Sequence, residues 1–396
     1  MSQEVVIVKA LRTPIGKFGG SLGGLSAVDL GAHAIKSLLA DTPVNSDNLD
    51  ETIMGIVVNA GAGQIPSRQA AAKAGLGAQV KSLTINKVCA SGMKAVGLAA
   101  QAIRAGDRQI VVAGGMESMS NTPYLMPKAR WGARMGDAQL IDSMIHDGLW
   151  CAFHDVHMII HGSNVAREYG ISRQEQDEWA LRSHQLAAAA TASGRFAKEI
   201  AALSIPQRKG EPLVVTQDES IRADTTLDKL GALKPVFDAE GSVTAGNAPG
   251  INDGAAALLL MSRAQAEALG LEPLARIVSY GEVADDYPYL ARTPANAIRA
   301  ALQQAQMTVD QLDLIEINEA FAAVTLLSTK LLEVSPDIVN VNGGAIALGH
   351  PIGASGARLV GTLVHELLER GQRFGAAGIC SGSAQGDAII IENLKA

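Results

Sequence analysis

The sequence predicts a layered α/β fold built from two similar halves, and three observations support that class. Short runs of β-forming residues alternate with helical spacing toward both ends of the chain. The 41 glycines and only 4% aromatic residues indicate many tight turns and close backbone contacts. Two segments also look like one strand–loop–helix unit used twice, around Cys89 and around His350. Such a duplication predicts an active site where the halves meet.

The individual elements follow from apolar runs and helix-start signals. Buried strands are predicted over residues 5–8, 53–58, 110–113, 256–261, 314–317 and 388–391. Capping-box patterns open helices at Ser26 with Asp29, Ser172 with Glu175, and Ser262 with Gln265. Helical patterns also cover residues 91–105 and 355–369. Around the helix at Ser172, residues 119–249 are rich in loops, so we expect an excursion that covers a ligand site.

The bulk properties narrow the class of protein. A chain of 396 residues with 47% apolar and 18% charged residues is expected to be ordered and to form two or more domains. The net charge of −7 argues against non-specific binding to nucleic acid or acidic membranes. Three cysteines are too few for a disulfide scaffold, and neither a leader nor a membrane-length apolar run is recognisable. We therefore expect a cytoplasmic protein.

Two of the cysteines and one histidine lie beside glycines, which let the backbone bend and approach a ligand. Cys89 precedes the predicted helix 91–105, whose N-terminus favours a thiolate; a small buried residue in a packed turn is the alternative. His350, in a glycine-rich loop, suits a base or a carbonyl-oxygen donor, or a structural histidine. Cys380, beside Gly382, suits a second acid or base.

Other ligand classes are less well supported. No Lys-Ser/Thr pair follows the glycines after His350, which disfavours a phosphate loop, and residues 61–63 are too short for a dinucleotide fingerprint. Asn318 follows a buried strand and suits either an oxyanion contact or a helix cap.

Taken together, seven motifs in order along nearly the whole chain resemble the thiolases, acyl-CoA acyltransferases of the condensing-enzyme superfamily. They are residues 12–16, 86–93, 114–120, 245–248, 252–255, 318–321 and 342–356. The resemblance implies a duplicated five-layer αβαβα fold with an inserted loop domain. Its N-terminal half would be 1–118 with 250–271, its inserted domain 119–249, and its C-terminal half 272–396. It also implies a homo-oligomer, a tetramer or a dimer.

The resemblance assigns catalytic roles to five residues. Cys89 would be the nucleophile that becomes acylated. His350 would activate it and bind the thioester oxygen, together with a water held by Asn318. Cys380 would be the acid and base at the α-carbon. The backbone N–H groups of Cys89 and Gly382 would form a second oxyanion hole.

The resemblance also predicts how an acyl-CoA is bound. Arg222 would contact the adenine end of CoA. The pocket for the acyl and pantetheine groups would involve His157, Met158, Pro249, Ala320 and Phe321. CoA is itself a substrate or product, so no cofactor or metal is implied.

Several positions depart from the thiolase pattern. Ser383 and Ala384 replace two glycines after the second active-site cysteine, Ser220 replaces a tyrosine, and Pro249 replaces a serine. Residues 159–161 are bulkier than usual. Because these changes surround the CoA tunnel, the resemblance still implies the same chemistry but does not define how the substrate fits.

The implied activity is that of an acetyl-CoA C-acetyltransferase: reversible Claisen condensation of two acetyl-CoA into acetoacetyl-CoA and CoA, through an acyl-cysteine in ping-pong. Residues 131–135 look like the compact loop of tetrameric short-chain enzymes. The alternatives are a broader-chain 3-ketoacyl-CoA thiolase of fatty-acid degradation and a non-catalytic acyl-CoA binding homologue. A decarboxylating ketoacyl synthase is disfavoured, because such an enzyme would have a second histidine at the position of Asn318.

Overall fold

The computed structural model describes residues 3–396. Its strands are β1 Val5–Arg12, β2 Gly16–Lys17, β3 Glu51–Gly55, β4 Lys81–Ile85, β5 Ile110–Ser118, β6 Tyr124–Leu125, β7 Ile141–Asp142, β8 Trp150–Cys151, β9 Val156–His157, β10 Leu203–Ile205, β11 Leu213–Val215, β12 Asn252–Ser262, β13 Ala275–Ala284, β14 Leu314–Ile317, β15 Phe374–Ser381 and β16 Gln385–Asn393. Its α-helices are α1 Ala27–Leu39, α2 Pro66–Lys73, α3 Ser91–Ala105, α4 Met158–Glu168, α5 Arg173–Ala192, α6 Leu227–Gly231, α7 Arg263–Ala268, α8 Thr293–Ala305, α9 Ala322–Leu332, α10 Ala345–Leu348 and α11 Ser355–Arg370.

A mixed sheet runs through both halves of the chain in the order β4-β3-β5-β12-β1-β13-β16-β15-β14, with β2 beside β12. Strand β3 is parallel to β4 and β5, and β14 is parallel to β15, while β12 and β16 run antiparallel to their neighbours. The halves join where β1 meets β13 over two residue pairs, Val6 with Arg276 and Ile7 with Ala275. This short junction is the boundary between the two halves of the sheet.

The two halves repeat one topology. In the first half, β1, α1, β3, α2, β4, α3, β5 and β12 follow one another; in the second, β13, α8, β14, α9, α11, β15 and β16 do. The place of β4 is taken by an isolated parallel bridge between Ile315 and Val339. The predicted duplication around Cys89 and His350 is therefore confirmed, because these residues precede the equivalent helices α3 and α11.

The helices lie in three layers that alternate with the two halves of the sheet. Helices α1 and α2 cover the outer face of the first half, and α8 covers the outer face of the second half with α9 packed on it. Helices α3 and α11 pack on each other and contact strands of both halves. The layers meet at buried apolar clusters. One such cluster contains Val96, Leu363 and Ile389. This is the expected five-layer α/β arrangement.

Between β5 and β12 the chain leaves the sheet, and buried charges connect this excursion to the body. Arg12 of β1 donates from Nε to Glu199 Oε1 at 2.7 Å and from Nη1 to Asp218 Oδ1 at 2.7 Å. Arg195 donates to Glu199 Oε2 at 3.1 Å and to Glu366 Oε2 of α11 at 2.6 Å. The network therefore links the excursion to both β1 and α11.

The helix-start predictions agree with the structure, and one strand prediction needs correction. Ser26 and Ser172 form full capping boxes, and Ser262 caps α7 through the Gln265 N–H. The strand predicted over 53–58 ends at Gly55. The Ile56 N–H still donates to the Ile85 carbonyl of β4, but the N–H groups of Val57 and Val58 donate to the carboxylate of Glu117. Within residues 3–396, no helix has both the length and the apolar character needed to cross a membrane.

Candidate active site

Cys89 lies on a tight turn between β4 and α3. Val88, directly before it, has φ 45°, a left-handed conformation that is strained for a β-branched residue. The turn is held by Asn86 Oδ1, which accepts from the Val88 N–H at 2.9 Å, and by Ser91 Oγ, which accepts from the Lys87 N–H at 2.8 Å. Because the turn is fixed in this way, the half-buried thiol of Cys89 faces a cavity.

Cys380 lies near the end of β15, in the other half, and the chain beyond it contacts the Cys89 turn. Ser381 Oγ donates to the Lys87 carbonyl at 2.6 Å. The Gly382 N–H hydrogen-bonds the Cys89 thiol and lowers its pKa, against the larger effect of burial, which raises it. The two thiols, one from each half, therefore share one space.

Burial favours the protonated form of both cysteines. Burial raises the pKa of Cys89 to about 12, and the nearby Glu117 adds to this rise, while the N–H groups of Cys89 and Gly382 oppose it. Burial also raises the pKa of Cys380, as does its closeness to Cys89. Burial therefore opposes the thiolate that the N-terminus of α3 was expected to favour at Cys89.

His350 is held in the loop between α10 and α11 as a neutral imidazole. Its backbone N–H donates to Asn252 Oδ1 at 2.9 Å. Ser355 Oγ donates to the Pro351 carbonyl at 2.9 Å and therefore accepts from His350 Nδ1 at 2.6 Å. The lone pair on Nε2 accepts from Asn318 Nδ2 at 3.3 Å. Burial lowers the pKa of His350 to about 3, which favours the neutral imidazole with its lone pair on Nε2.

Asn318 supports His350 from behind. Its backbone N–H donates to the Gly378 carbonyl at 3.0 Å, which extends the pairing of β14 with β15. Its Oδ1 is buried and has no hydrogen-bond partner within residues 3–396. A buried amide oxygen without a partner is unfavourable by about 1–3 kcal/mol. A bound water donating to Oδ1 would remove that penalty.

Glu117, on β5, connects the end of β3 to the His350 loop. Its carboxylate accepts from the N–H groups of Val57, Val58 and Gly353 at 2.9, 3.2 and 2.9 Å. Burial raises the pKa of Glu117 to about 7 in spite of these three donors. A Cβ at Gly353 would lie 2.7 Å from the carboxylate, so only glycine permits this approach. Sequence reasoning gave Glu117 no role, although motif 114–120 contains it.

A cavity of about 260 Å³ brings most of the predicted site residues together. Its walls include Cys89, His350, Cys380 and Gly382, and also His157, Met158, Pro249, Ala320 and Phe321. Asn318 does not line the cavity and is buried behind His350. Arg222 is exposed and lines an adjoining cleft with Lys17 and His184. The cavity and the cleft share Ala248, Gly250 and Ile251, so they are adjacent.

The remaining wall is largely apolar and was only partly anticipated. A π-helical turn over Met144–Leu149 contributes several side chains. The His157 ring stacks on Phe237, with ring centroids 4.3 Å apart, and burial lowers the pKa of His157 to about 4. Phe237 escaped the sequence analysis because it lies in an irregular polar stretch with no periodicity. The sequence feature that could have indicated a role for Phe237 is its aromatic side chain, because the chain has few aromatic residues.

The positions that depart from the thiolase pattern have local consequences. Ser383 has φ 62° and Ala384 has φ 51°, a left-handed conformation that glycine adopts without strain. Ser220 Oγ accepts from Asn252 Nδ2 at 3.1 Å, while Oδ1 of the same amide holds the His350 N–H. Ser220 is therefore connected to the position of His350 through one side chain.

Fold and site define a duplicated α/β protein with two thiols and a neutral imidazole around one cavity. The family model described as "Thiolase, N-terminal domain" matches residues 5–264, and "Thiolase, C-terminal domain" matches residues 271–393. The chain belongs to the thiolase family. The resemblance predicted from the sequence motifs is thereby confirmed.

Similar proteins share this chain's full length. A Pseudomonas aeruginosa protein named acetyl-CoA acetyltransferase is 54% identical over 389 residues, 98% of this chain and 99% of that protein. An Escherichia coli protein with the same name is 53% identical over 394 residues, covering 99% and 100%. The crystal structure of the Bacillus anthracis acetyl-CoA acetyltransferase superposes with a TM-score of 0.97 at 42% identity, over 99% of each chain.

Proposed function

We propose that this chain is an acetyl-CoA C-acetyltransferase that condenses two acetyl-CoA into acetoacetyl-CoA and CoA, reversibly and through an acyl-cysteine. The observation that carries the proposal is the meeting of Cys89, Cys380 and a neutral His350 in one cavity. The names of the full-length relatives support acetyl-CoA as the substrate.

In the first half-reaction, the protonation states define the order of proton transfer. His350 Nε2 takes the proton of Cys89, whose sulfur attacks the thioester carbon of acetyl-CoA. The bond from that carbon to the CoA sulfur breaks, and CoA leaves with the proton of Cys380. Protonated His350 and a water on Asn318 stabilise the thioester oxygen. The site is left with acetyl-Cys89 and a Cys380 thiolate.

In the second half-reaction, the Cys380 thiolate removes a proton from the α-carbon of a second acetyl-CoA. Such protons are too weakly acidic for water to remove quickly, so the base must be close to the carbon. The carbanion attacks acetyl-Cys89, a carbon–carbon bond forms, and the Cys89 sulfur leaves and regains its proton from His350. The N–H groups of Cys89 and Gly382 stabilise the developing oxyanion.

The proposed path for CoA runs from the cavity into the adjoining cleft. The acyl and pantetheine groups lie between His157, Met158, Pro249 and the Ala320–Phe321 pair, and Arg222 contacts the adenine end. The cleft also carries Lys17, a second cation suited to the phosphates of CoA. CoA serves here as substrate and product, and the chemistry uses no metal or prosthetic group.

CoA-dependent cleavage of acetoacetyl-CoA, 3-ketohexanoyl-CoA and 3-ketooctanoyl-CoA tests the proposal. We expect cleavage of the four-carbon substrate and slower cleavage of the two longer ones. Cys89→Ala should cleave none of the three. Equal rates on all three would move the assignment to a broader-chain thiolase. Binding of CoA without any cleavage would indicate a non-catalytic homologue.

We also propose that the chain assembles into a homo-oligomer, a tetramer or a dimer, in the cytoplasm. The loop region after β5 supports assembly because it exposes large apolar side chains: Tyr124, Trp131, Met135 and Leu140 are 64%, 82%, 97% and 59% exposed. Three free cysteines fit a reducing compartment. Light scattering should give a multiple of the 41.1 kDa chain mass, and Trp131→Ser with Met135→Ser should lower it. A wild-type monomer would exclude this assembly.

A further inference from the structure

A cluster of one cysteine and two histidines lies beside the cavity and has no part in the proposed acyl transfer. Cys151 Sγ and one ring nitrogen each of His154 and His161 all lie within 4.8 Å of one another. Cys151 Sγ and His154 Nδ1 are 3.9 Å apart, and the two imidazoles meet edge to face with centroids 5.3 Å apart. Three soft or borderline donors therefore converge on one point.

His161 gives a second, independent indication of a ligand. His161 lies on α4 and is only 5% exposed, yet its Nε2 has no hydrogen-bond partner within residues 3–396. A buried ring nitrogen without a partner is unfavourable. Burial and the neighbouring His154 lower the pKa of His161, which favours the neutral form that binds metals.

The local backbone suits a site that closes around an ion. Cys151 ends β8 and His154 lies on the loop joining β8 to β9, while His161 lies in the first turns of α4. Around tetrahedral zinc, bonds of about 2.3 Å to sulfur and 2.0–2.1 Å to nitrogen place donor atoms roughly 3.3–3.6 Å apart. His154 is exposed, so its side chain can make the required movement and leaves an entry path.

We propose that Cys151, His154 and His161 form a binding site for one zinc ion, with a fourth position open to water. Thiolate and imidazole are donors that suit zinc. On binding, the ion replaces the thiol proton of Cys151. The ion cross-links the β8–β9 hairpin to α4. Since His157 ends that hairpin and Met158 begins α4, the ion fixes one wall of the acyl cavity.

Cobalt titration of the full-length, chelator-treated protein tests the site without relying on activity. We expect about one equivalent of Co²⁺ to give the intense thiolate-to-cobalt and tetrahedral d–d bands, which Zn²⁺ then abolishes. Zinc should also raise the thermal midpoint of the wild type. Cys151→Ser should lose the charge-transfer band. His154→Ala, at an exposed position that leaves folding intact, should weaken binding at least about tenfold.

Two control variants separate this site from other donors. His146→Gln changes a nearby exposed histidine outside the cluster, and Cys89→Ser removes the half-buried thiol of the cavity. Both should keep the bands and the zinc-dependent thermal shift. Absence of the bands in folded wild type, their persistence in Cys151→Ser, or their loss in Cys89→Ser would each overturn the proposal. The outcome is independent of whether the chain condenses acetyl-CoA.

Discussion

At the scale of single residues, the two thiols of the site differ in the base that is available to each of them. His350 presents an unprotonated Nε2 because Ser355 occupies Nδ1 and because burial holds its pKa at about 3. Burial raises the pKa values of Cys89 and Cys380, so neither thiol ionises without a base or an exchange partner. Attack of Cys89 on the thioester should therefore depend most on His350, and removal of the α-proton on Cys380.

Replacing Cys380 should uncouple the two half-reactions. Cys380→Ser keeps a hydroxyl in place of the thiol but removes the base at the α-carbon, so condensation should fall by about 10²–10⁴. Acetylation of Cys89 should be slowed much less, because in that step Cys380 supplies only the proton of the leaving CoA. Steady-state condensation and single-turnover acylation measure the two steps separately. An equal loss in both steps would show that Cys380 does not have this separate role.

Ser383 should be a site of stored backbone strain. Its φ is 62°, which is strained for a residue with a side chain. Because Ser383 is half-buried, replacing its side chain by hydrogen removes no large packing contribution. Ser383→Gly should raise the free energy of unfolding by about 0.5–1 kcal/mol, measured by urea titration. Ala384→Gly should gain less, because Ala384 is fully buried and loses its methyl contacts. A larger gain at Ala384 than at Ser383 would contradict this assignment of strain.

At the scale of elements, the site depends on how closely α3 approaches α11. A Cβ at Gly92 would lie 2.8 Å from Ala357 N, and one at Gly356 would lie 2.4 Å from Met93 N. These two glycines therefore allow the helix N-termini that follow Cys89 and His350 to meet. Any added atom there must separate the two halves of the site.

Gly356→Ala should impair both stability and activity. Overpacking at this contact should lower the free energy of unfolding by about 1–3 kcal/mol and reduce turnover by moving His350 relative to Cys89. Gly361→Ala is the matched control on α11, since its Cβ would meet only Ala10 Cβ at 3.5 Å. It should be neutral or stabilising by up to about 1 kcal/mol. Similar losses in both variants would indicate a general helix effect instead.

The sequence anticipated elements with a local signature and missed those defined by distant partners. The helix predicted over 91–105 coincides with α3, and the capping boxes at Ser26 and Ser172 are present. Strand β13 escaped detection because Arg276 and Glu282 interrupt its apolar pattern. Helix α4 lies in the predicted excursion 119–249, where the only helix predicted was the one that starts at Ser172.

The candidate site residues were predicted through motifs, whereas the shifts of their pKa values required the structure. Nothing local to Cys89 shows that Glu117 lies near enough to raise its pKa. The contact of Ser355 with His350 is short-range in sequence, but the contact of Asn318 with His350 arises from tertiary packing. The wall residue Phe237 likewise reaches the cavity only through the fold.

At the scale of the whole molecule, buried charges hold the excursion on the α/β body. Glu199 lies between Arg12 and Arg195, and although burial opposes its ionisation, the two guanidinium groups outweigh burial and lower its pKa to about 2. A lowered carboxyl pKa contributes stability that is present above the ordinary value and lost as the pH falls through the folded value. This contribution should therefore disappear between about pH 4.5 and pH 2.

Removing Arg12 should show how much this network contributes. Arg12→Ala leaves Glu199 and Asp218 buried without their main partner, so the free energy of unfolding should fall by about 3–5 kcal/mol at neutral pH. The difference from wild type should shrink as the pH falls below 4.5. Arg263→Ala, which removes a partly exposed pair with Glu4, should lower it by at most about 1 kcal/mol. Equal effects of the two variants would argue against the network.

The most direct test of the acyl-transfer account is peptide mass spectrometry of the protein quenched after mixing with acetyl-CoA. The account predicts one acetyl group, located on Cys89 and removed when CoA is added. It also predicts no such adduct in Cys89→Ala and slower acetylation in His350→Asn, because Nε2 no longer takes the thiol proton. An acetyl group on Cys380, or turnover without any acetyl-cysteine, would contradict it.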